Sequence, residues 1–166
     1  MRNATVKELS LESFQNYGTF ANMLNPKALK IGEEPIEFFR DMLQLDLGPA
    51  RSASFSICRV QKRPAVVDVS EYHTGCGEGN LPIDADCLIH VGHATHDGQP
   101  PLDSIEIFRV PKGTMVVIKP GVWHHAPFVS DTDCVNVLIV LPERTYANDC
   151  VVVPVEGNEQ IAVQGA

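Results

Sequence analysis

Residues 113–125 read Gly-Thr-Met-Val-Val-Ile-Lys-Pro-Gly-Val-Trp-His-His, and this stretch is the best indicator of the fold. A run of β-branched and apolar residues at 114–118 leads into a turn at Pro120 and Gly121, and a second run follows at 124–129. Short apolar runs that end at Pro and Gly are typical of β-strands joined by tight turns. The stretch therefore predicts two short strands rather than a helix.

The same pattern extends outward through most of the chain after Ser52. Each further run is rich in Val, Ile or Phe and ends at Gly, Pro, Asp or Asn; these runs are 53–60, 65–71, 86–95, 104–110, 134–141 and 149–155. About eight short strands with almost no helix between them predict an all-β sandwich or barrel. We expect a single domain over residues 1–166, with its barrel core at about 52–155.

The N-terminal segment supplies the one good helix candidate, residues 9–18. Apolar residues recur there at three-residue spacing, Ser10 is a suitable N-cap, and Gly18 suits the left-handed residue that ends a helix. The polar C-terminal tail from Glu156 to Ala166 is expected to be only partly ordered. The prediction is thus a β-barrel with a short helix packed outside it.

Composition excludes several classes of function. The 166 residues carry 13 basic and 21 acidic side chains, a formal net charge of −8, which argues against a surface for nucleic acid or anionic membrane. The five cysteines are odd in number and have no two-residue spacing, so a disulfide framework and a four-thiolate zinc site are disfavoured. With no signal peptide and no membrane-spanning stretch evident, we expect a soluble cytoplasmic protein whose partner is a small organic acid.

Histidines and carboxylates on or beside the predicted strands carry the strongest chemical signal. Glu71 and His73 share a strand face because they are two residues apart. A glycine-rich turn then lets the chain bring Glu78 back beside His73, and a second hairpin brings His124 to the same point. Such a set suits Zn, Mn, Ni or Fe, with His73, Glu78 and His124 as ligands and Glu71 as a candidate fourth. The alternative is a hydrogen-bonded pair of His73 and Glu78 that only orients a turn.

Other candidates have competing interpretations. Arg59 is either a guanidinium fork for a substrate carboxylate or an exposed residue of a solvated sheet face. His124 is favoured inside the barrel, which leaves its neighbour His125 as a supporting or surface residue. Trp123 is more typical of a core or interface anchor than of a catalytic group, and Cys76 of a small buried residue than of a metal ligand. His90, His93 and His96 have helical spacing on a predicted strand, so we discount them as a metal site.

The two histidine segments resemble degenerate forms of the paired cupin motifs. In the first, His73-x4-Glu78 fits, although Glu71-x-His73 stands where the usual His-x-His is found. In the second, Gly113…Pro120-Gly121-x-x-His124 nearly fits, with one extra residue. The resemblance implies a cupin-type double-stranded β-helix, or jelly-roll, of two antiparallel sheets.

Over most of its length the chain is similar to the ureidoglycolate lyase family, cupin-fold enzymes of allantoin catabolism and purine degradation. The matching stretches are Leu9–Gly18, Cys58-Arg59, Glu71-Tyr72-His73, Asp97–Pro100, and Val122-Trp123-His124-His125 with Pro127. The resemblance implies a homodimer that releases urea and glyoxylate by cleaving the ureido C–N bond of an α-hydroxy acid. Lys119 and Trp123 lie in or beside the stretch that implies the pocket, so with Arg59 they are candidate substrate-binding residues.

The family's chemistry assigns expected roles to the cluster. A metal would lower the pKa of the substrate hydroxyl, and Glu71 or His125 would protonate the leaving urea nitrogen. Without a metal, His124 or Glu78 would act as general base. These four residues are the candidate catalytic residues.

The chain also departs from the family at pocket positions. The family commonly has Gln where this chain has Glu78, Lys where it has Asp84, and Tyr-His-Arg where it has Ile118-Lys119-Pro120. These departures leave open another metal-dependent cupin enzyme, an isomerase or dioxygenase for a small organic acid, or a non-catalytic metabolite-binding cupin. They affect the expected substrate more than the expected fold.

Overall fold

Strands dominate the structure, a computed structural model that describes residues 1–165. In chain order the elements are β1 (Arg2–Glu8), α1 (Leu11–Phe14), β2 (Gly18–Asn22), β3 (Lys30–Ile31), β4 (Phe38–Phe39), β5 (Ala53–Gln61), β6 (Val66–Val67), β7 (Val69–Tyr72), β8 (Glu78–Pro82), β9 (Cys87–Val91), β10 (Glu106–Val110), β11 (Thr114–Ile118), β12 (Phe128–Val129), β13 (Cys134–Pro142), α2 (Thr145–Asn148), β14 (Val151–Pro154) and β15 (Ile161–Gln164). The all-β prediction is confirmed.

Two large sheets carry most of these strands. One has the order β12-β9-β10-β1-β15-β6, and the other has the order β2-β11-β8-β13-β5. A ribbon of β14 and β7 and a short pair of β3 and β4 complete the pairing. β1 runs parallel to both of its neighbours, β10 and β15, so the expectation of purely antiparallel sheets is wrong.

The main core lies between the two large sheets, because alternate residues of each strand point to the same side. It contains buried side chains from both sheets, among them Ile89, Phe108, Val116 and Val137. A second apolar cluster, which includes Leu88, covers the opposite face of the six-stranded sheet. The site described below lies beside the main core, where β7, β8 and the chain at residue 124 meet.

Several predicted elements differ from the structure. The helix is a single turn, Leu11–Phe14; the predicted N-cap is confirmed, since Ser10 Oγ accepts from Ser13 N at 3.1 Å, but Gly18 already begins β2. Phe14 is fully buried in the main core, so this turn does not simply pack outside the barrel.

Strands that the sequence pattern does not predict lie at both ends of the chain and in its middle. The tail, expected to be only partly ordered, supplies β15, which pairs with β1 inside the six-stranded sheet. No strand is predicted between residues 71 and 86, yet β8 is a central strand between β11 and β13. Of the predicted run 124–129, only Phe128–Val129 is a strand. Among residues 1–165, no helix is long and apolar enough to cross a membrane.

Candidate active site

His73, Glu78 and His124 meet in the structure although 46 residues separate the last two. Glu78 Oε2 lies 3.1 Å from His73 Nε2 and 3.4 Å from His124 Nε2. All three side chains are buried, and the two imidazole rings stand edge to face with their centroids 5.2 Å apart. The expected convergence of the two distant segments is therefore present.

Local backbone structure explains the convergence. Glu71 and His124 form an antiparallel bridge, in which Glu71 N donates to His124 O at 2.6 Å and His124 N donates to Glu71 O at 2.8 Å. After His73 the chain turns through a glycine-containing loop and re-enters as β8 at Glu78. A Cβ at Gly77 would lie 2.7 Å from Ile118 O, so the tight return of this loop requires glycine.

Backbone carbonyls fix the orientation and tautomer of both imidazoles. His73 Nδ1 donates to Asp149 O at 2.7 Å, and His124 Nδ1 donates to Val122 O at 2.8 Å. A carbonyl oxygen only accepts, so each Nδ1 carries its proton and each neutral ring has its lone pair on Nε2. A hydrogen bond from the other ring nitrogen to a carbonyl is typical of metal-ligating histidines.

Three acceptors therefore face one another, two Nε2 lone pairs and one carboxylate oxygen, and only a proton or a metal cation between them relieves the repulsion. Burial alone would raise the pKa of Glu78, but the charge that His124 carries when its Nε2 takes up a proton, and hydrogen bonding with both imidazoles, hold it well below its usual range. Burial likewise acts against protonation of His124, but the charge and hydrogen bond of Glu78, the hydrogen bond to Val122 O and the charge of Glu71 together outweigh it and raise the His124 pKa. The pocket favours positive charge at its centre.

Glu71 completes a donor set that suits a metal. Glu71, His73 and His124 each offer a ligand atom, and these atoms lie within 4.8 Å of one another. Glu71 therefore belongs to the cluster directly, whereas the sequence pattern predicts it only as a candidate fourth ligand. Two imidazoles with carboxylate oxygens are a fitting donor set for a borderline divalent metal, so this cluster could hold one.

The segment 145–150 borders the cluster, although no sequence pattern predicts it there. The carboxylate of Asp149 accepts from Thr74 N at 2.9 Å and from Gly75 N at 2.7 Å, which ties this segment to the loop after His73. Cys150 Sγ donates to Glu71 Oε2 at 3.5 Å, and the ring of Tyr146 stands edge-on to that of His73 with centroids 6.2 Å apart. No motif marks these residues, because they reach the site only through the fold.

His125 and Trp123 flank His124 but face different surroundings. His125 is half-buried, and its pKa is lowered chiefly by burial, with the charge of Glu71 acting in the opposite direction. His125 thus lies within electrostatic reach of the cluster. Trp123 is fully buried, donates from Nε1 to Thr95 Oγ1 at 2.9 Å and packs on Tyr72. Its surroundings are those of a core anchor.

The structure does not bring the two candidate cations to the cluster. Arg59 is exposed and its Nε donates to Asn136 Oδ1 at 3.0 Å on the outer face of β5. Lys119 Nζ donates to Gln15 O at 2.6 Å beside the N-terminal turn. Asp84, one of the departures from the family, is also outside the cluster, where its carboxylate accepts from Asn136 N at 2.8 Å.

Cys76, His90 and His93 contact side chains outside the cluster. Cys76 is buried with its Sγ 3.9 Å from Thr145 Oγ1. His90 is buried against Ser70, His93 packs on Tyr17, and His96 is exposed. The spacing of three between them brings no common ligand site.

Comparison with known proteins identifies the family to which the chain is similar. The sequence model for ureidoglycolate lyase matches residues 1–163 of the chain. No curated protein sequence matches it significantly.

Solved structures show the fold. A dTDP sugar isomerase from Desulfovibrio desulfuricans G20 is similar with a TM-score of 0.50 and 15% identity, over 86% of this chain and 87% of that one. An oxalate decarboxylase from Bacillus subtilis, a protein with Mn(II) centres, has a TM-score of 0.43 and 14% identity, over 62% of this chain and 24% of that one. The chain thus spans about a quarter of the length of the decarboxylase. At these identities the similarity concerns the fold alone. The predicted cupin barrel is confirmed by the family match, since the ureidoglycolate lyase family belongs to the cupin superfamily.

Proposed function

Because the chain belongs to the ureidoglycolate lyase family and is thereby an enzyme of the lyase type, we propose that it cleaves ureidoglycolate to glyoxylate and urea at the His73–Glu78–His124 cluster. The substrate is a small anion, an α-hydroxy acid with a urea nitrogen on the hydroxyl-bearing carbon. The observation that carries the proposal is the convergence of Nε2 of both histidines on one carboxylate oxygen, 3.1 and 3.4 Å away.

We further propose that the cluster holds a divalent metal, with Zn, Mn, Ni and Fe as the candidates. His73 and His124 would bind it through Nε2, and Glu71 and Glu78 would supply carboxylate oxygens. A bound divalent ion supplies Lewis-acid chemistry that lowers the pKa of a substrate hydroxyl. Its charge would also offset the two carboxylates, which otherwise repel an anionic substrate.

The proton that the leaving urea nitrogen requires is assigned to a side chain beside the cluster. Glu71 and His125 are the candidates, because Glu71 is only half-buried and His125 lies within its electrostatic reach. Glu78 is less suited as a proton donor, since its low pKa keeps it ionised at neutral pH. Arg59 and Lys119 have no role in the proposal for this chain, because their side chains bond elsewhere.

The test is direct assay of the purified protein. We expect glyoxylate to form from ureidoglycolate above the spontaneous rate, to stop when a chelator removes the metal, and to return when one of the four metals is added. The matched control is the His96→Ala variant, because His96 is exposed and outside the cluster. Spontaneous rates alone with every metal would overturn the proposal, and oxygen consumption or isomerisation of another small acid would favour a different cupin enzyme.

The proposal also includes the oligomeric state of the protein and its location in the cell. β5 lies at the edge of its sheet, with Phe55 and Ile57 of its outer face 70% and 54% exposed, which supports a homodimer in which a second copy covers this face. Within residues 1–165 all five cysteines are free thiols, which supports a cytoplasmic role in allantoin breakdown. Sedimentation of wild type and the Phe55→Ser/Ile57→Ser variant tests the dimer; equal masses would contradict this interface.

A further inference from the structure

With the proposed metal bound, the side chains of the cluster itself offer no hydrogen-bond donor to the carboxylate of an anionic substrate. Glu71, Glu78 and the two Nε2 atoms are acceptors, and neither Arg59 nor Lys119 reaches them. The nearby donors are already used, since Asn80 Nδ2 donates to Glu78 Oε1 at 3.1 Å and Cys150 Sγ donates to Glu71. A carboxylate brought to this cluster would lack a donor from these groups.

Tyr146 is placed to supply one. It lies on α2, and its ring stands edge-on to His73 at 85°, so it borders the pocket next to a candidate metal ligand. Within residues 1–165 its hydroxyl takes no part in the hydrogen bonds that hold the cluster together. The residue is 60% exposed, so a ligand entering from solvent can reach it.

Hydrogen bonds of the neighbouring residues Thr145 and Asp149 hold the backbone on both sides of Tyr146. Thr145 Oγ1 donates to Pro142 O at 2.9 Å on the N-terminal side of α2. On the other side, the Asp149 carboxylate holds Thr74 and Gly75 through three hydrogen bonds. Burial around the phenol and the negative charges of Glu78 and Glu71 raise its pKa above the usual value, so at neutral pH it is a neutral donor.

We propose that Tyr146 is a substrate-binding residue whose phenolic O–H donates a hydrogen bond to the substrate carboxylate. This inference rests on the proposed function in taking that substrate to be an α-hydroxy acid. It assigns to the 145–150 segment the recognition of the acid group and leaves the reacting carbon to the histidine and carboxylate cluster.

The test compares wild type with Tyr146→Phe, which keeps the ring and removes only the hydroxyl. We expect the KM for ureidoglycolate and the Kd for glycolate, measured by calorimetry on metal-loaded protein, both to rise about tenfold, with kcat and bound metal nearly unchanged. The matched control is Tyr72→Phe, because strand alternation sends the Tyr72 side chain to the face opposite Glu71 and His73, where its ring packs on Trp123. That variant should keep wild-type values.

The two readouts separate the two proposals. If wild type releases glyoxylate but Tyr146→Phe keeps both wild-type constants, the role of Tyr146 is overturned and the proposed function stands. If wild type binds glycolate without turning over ureidoglycolate, the proposed function fails, and the Kd ratio of the two proteins still decides the role of Tyr146. A wild type with no affinity for glycolate overturns the role of Tyr146 as well.

Discussion

Two buried histidines, His124 and His90, lie on either side of Ser70, yet their pKa values are shifted in opposite directions. Ser70 Oγ lies 3.3 Å from His124 O and 3.1 Å from His90 Nε2. Both rings are almost fully buried, with 3% and 1% exposure. Burial together with the charges of nearby groups lowers the pKa of His90 to about 3, whereas the pKa of His124 is raised.

The difference comes from the partner rather than from burial. Burial disfavours the protonated form of both rings. For His124 the charge and hydrogen bond of Glu78, together with the Val122 carbonyl and the charge of Glu71, more than compensate for burial. His90 has only the Ser70 hydroxyl, and its Nδ1 has no hydrogen-bond partner among residues 1–165. A buried imidazole in this fold thus favours a positive charge where a carboxylate faces it. Where no carboxylate faces it, the imidazole is a neutral core residue.

The largest effect is expected from removing the two imidazoles of the cluster, those of His73 and His124. The double variant His73→Ala/His124→Ala should lose bound metal and all glyoxylate release, because both Nε2 donors are absent. Elemental analysis of protein purified without chelator or affinity tag measures the metal, and His96→Ala serves as the control. Equal metal content in wild type and the double variant would remove the proposed site.

A smaller effect is expected when only the charge between the histidines is removed. Glu78→Gln keeps the shape of the side chain but loses the carboxylate, so metal affinity should fall about 10- to 100-fold while the fold is retained. Titration of metal-free protein with Zn²⁺ or Mn²⁺ measures this. Glu143→Gln is the control, because the Glu143 side chain is 68% exposed. Unchanged affinity would show that the imidazoles and Glu71 suffice.

The smallest effect concerns His90 and the pH dependence of stability. The folded pKa of about 3 lies below the ordinary 6.5, so between these values the unfolded chain takes up a proton that the folded chain excludes. Stability should therefore fall with decreasing pH, by at most about 1.4 kcal/mol per unit from this group. The charges that face His90 are those of His124, His125 and Arg63.

Urea unfolding of metal-free wild type and His90→Gln at pH 7, 6 and 5 isolates this contribution, because the other titrating groups are common to both proteins. The stability of His90→Gln should fall less steeply than that of wild type as the pH decreases. His96→Gln, altered at an exposed position, should keep the wild-type slope. Parallel curves for all three proteins would contradict the neutral, buried state of His90.

Much of the fold and the centre of the site could be predicted from local patterns. Runs such as 53–60 and 134–141 are rich in apolar and β-branched residues, and they are strands β5 and β13. β8 could not be found in this way, because Glu-Gly-Asn-Leu-Pro has few residues with strand propensity. It is a strand because β11 and β13 pair with it on both sides.

The sequence around Arg59 contains a pattern that argues against a place for this side chain inside the barrel. Cys58 and Val60 pack with the main core, so the period of two along a strand sends the residue between them to the outer face. The contact with Asn136 follows from this orientation. The family resemblance favoured a functional role for Arg59, and strand geometry would have argued against a place in the barrel.

The sequence by itself determined the fold class and the identity of the converging residues, because strand alternation, turn residues and the spacing from His73 to Glu78 are local properties of the chain. Only the tertiary structure decided that Asp149 orients His73, that Cys150 contacts Glu71 and that Tyr146 borders the pocket. Contacts between segments more than seventy residues apart depend on how the sheets pair and close, and no local pattern specifies that closure.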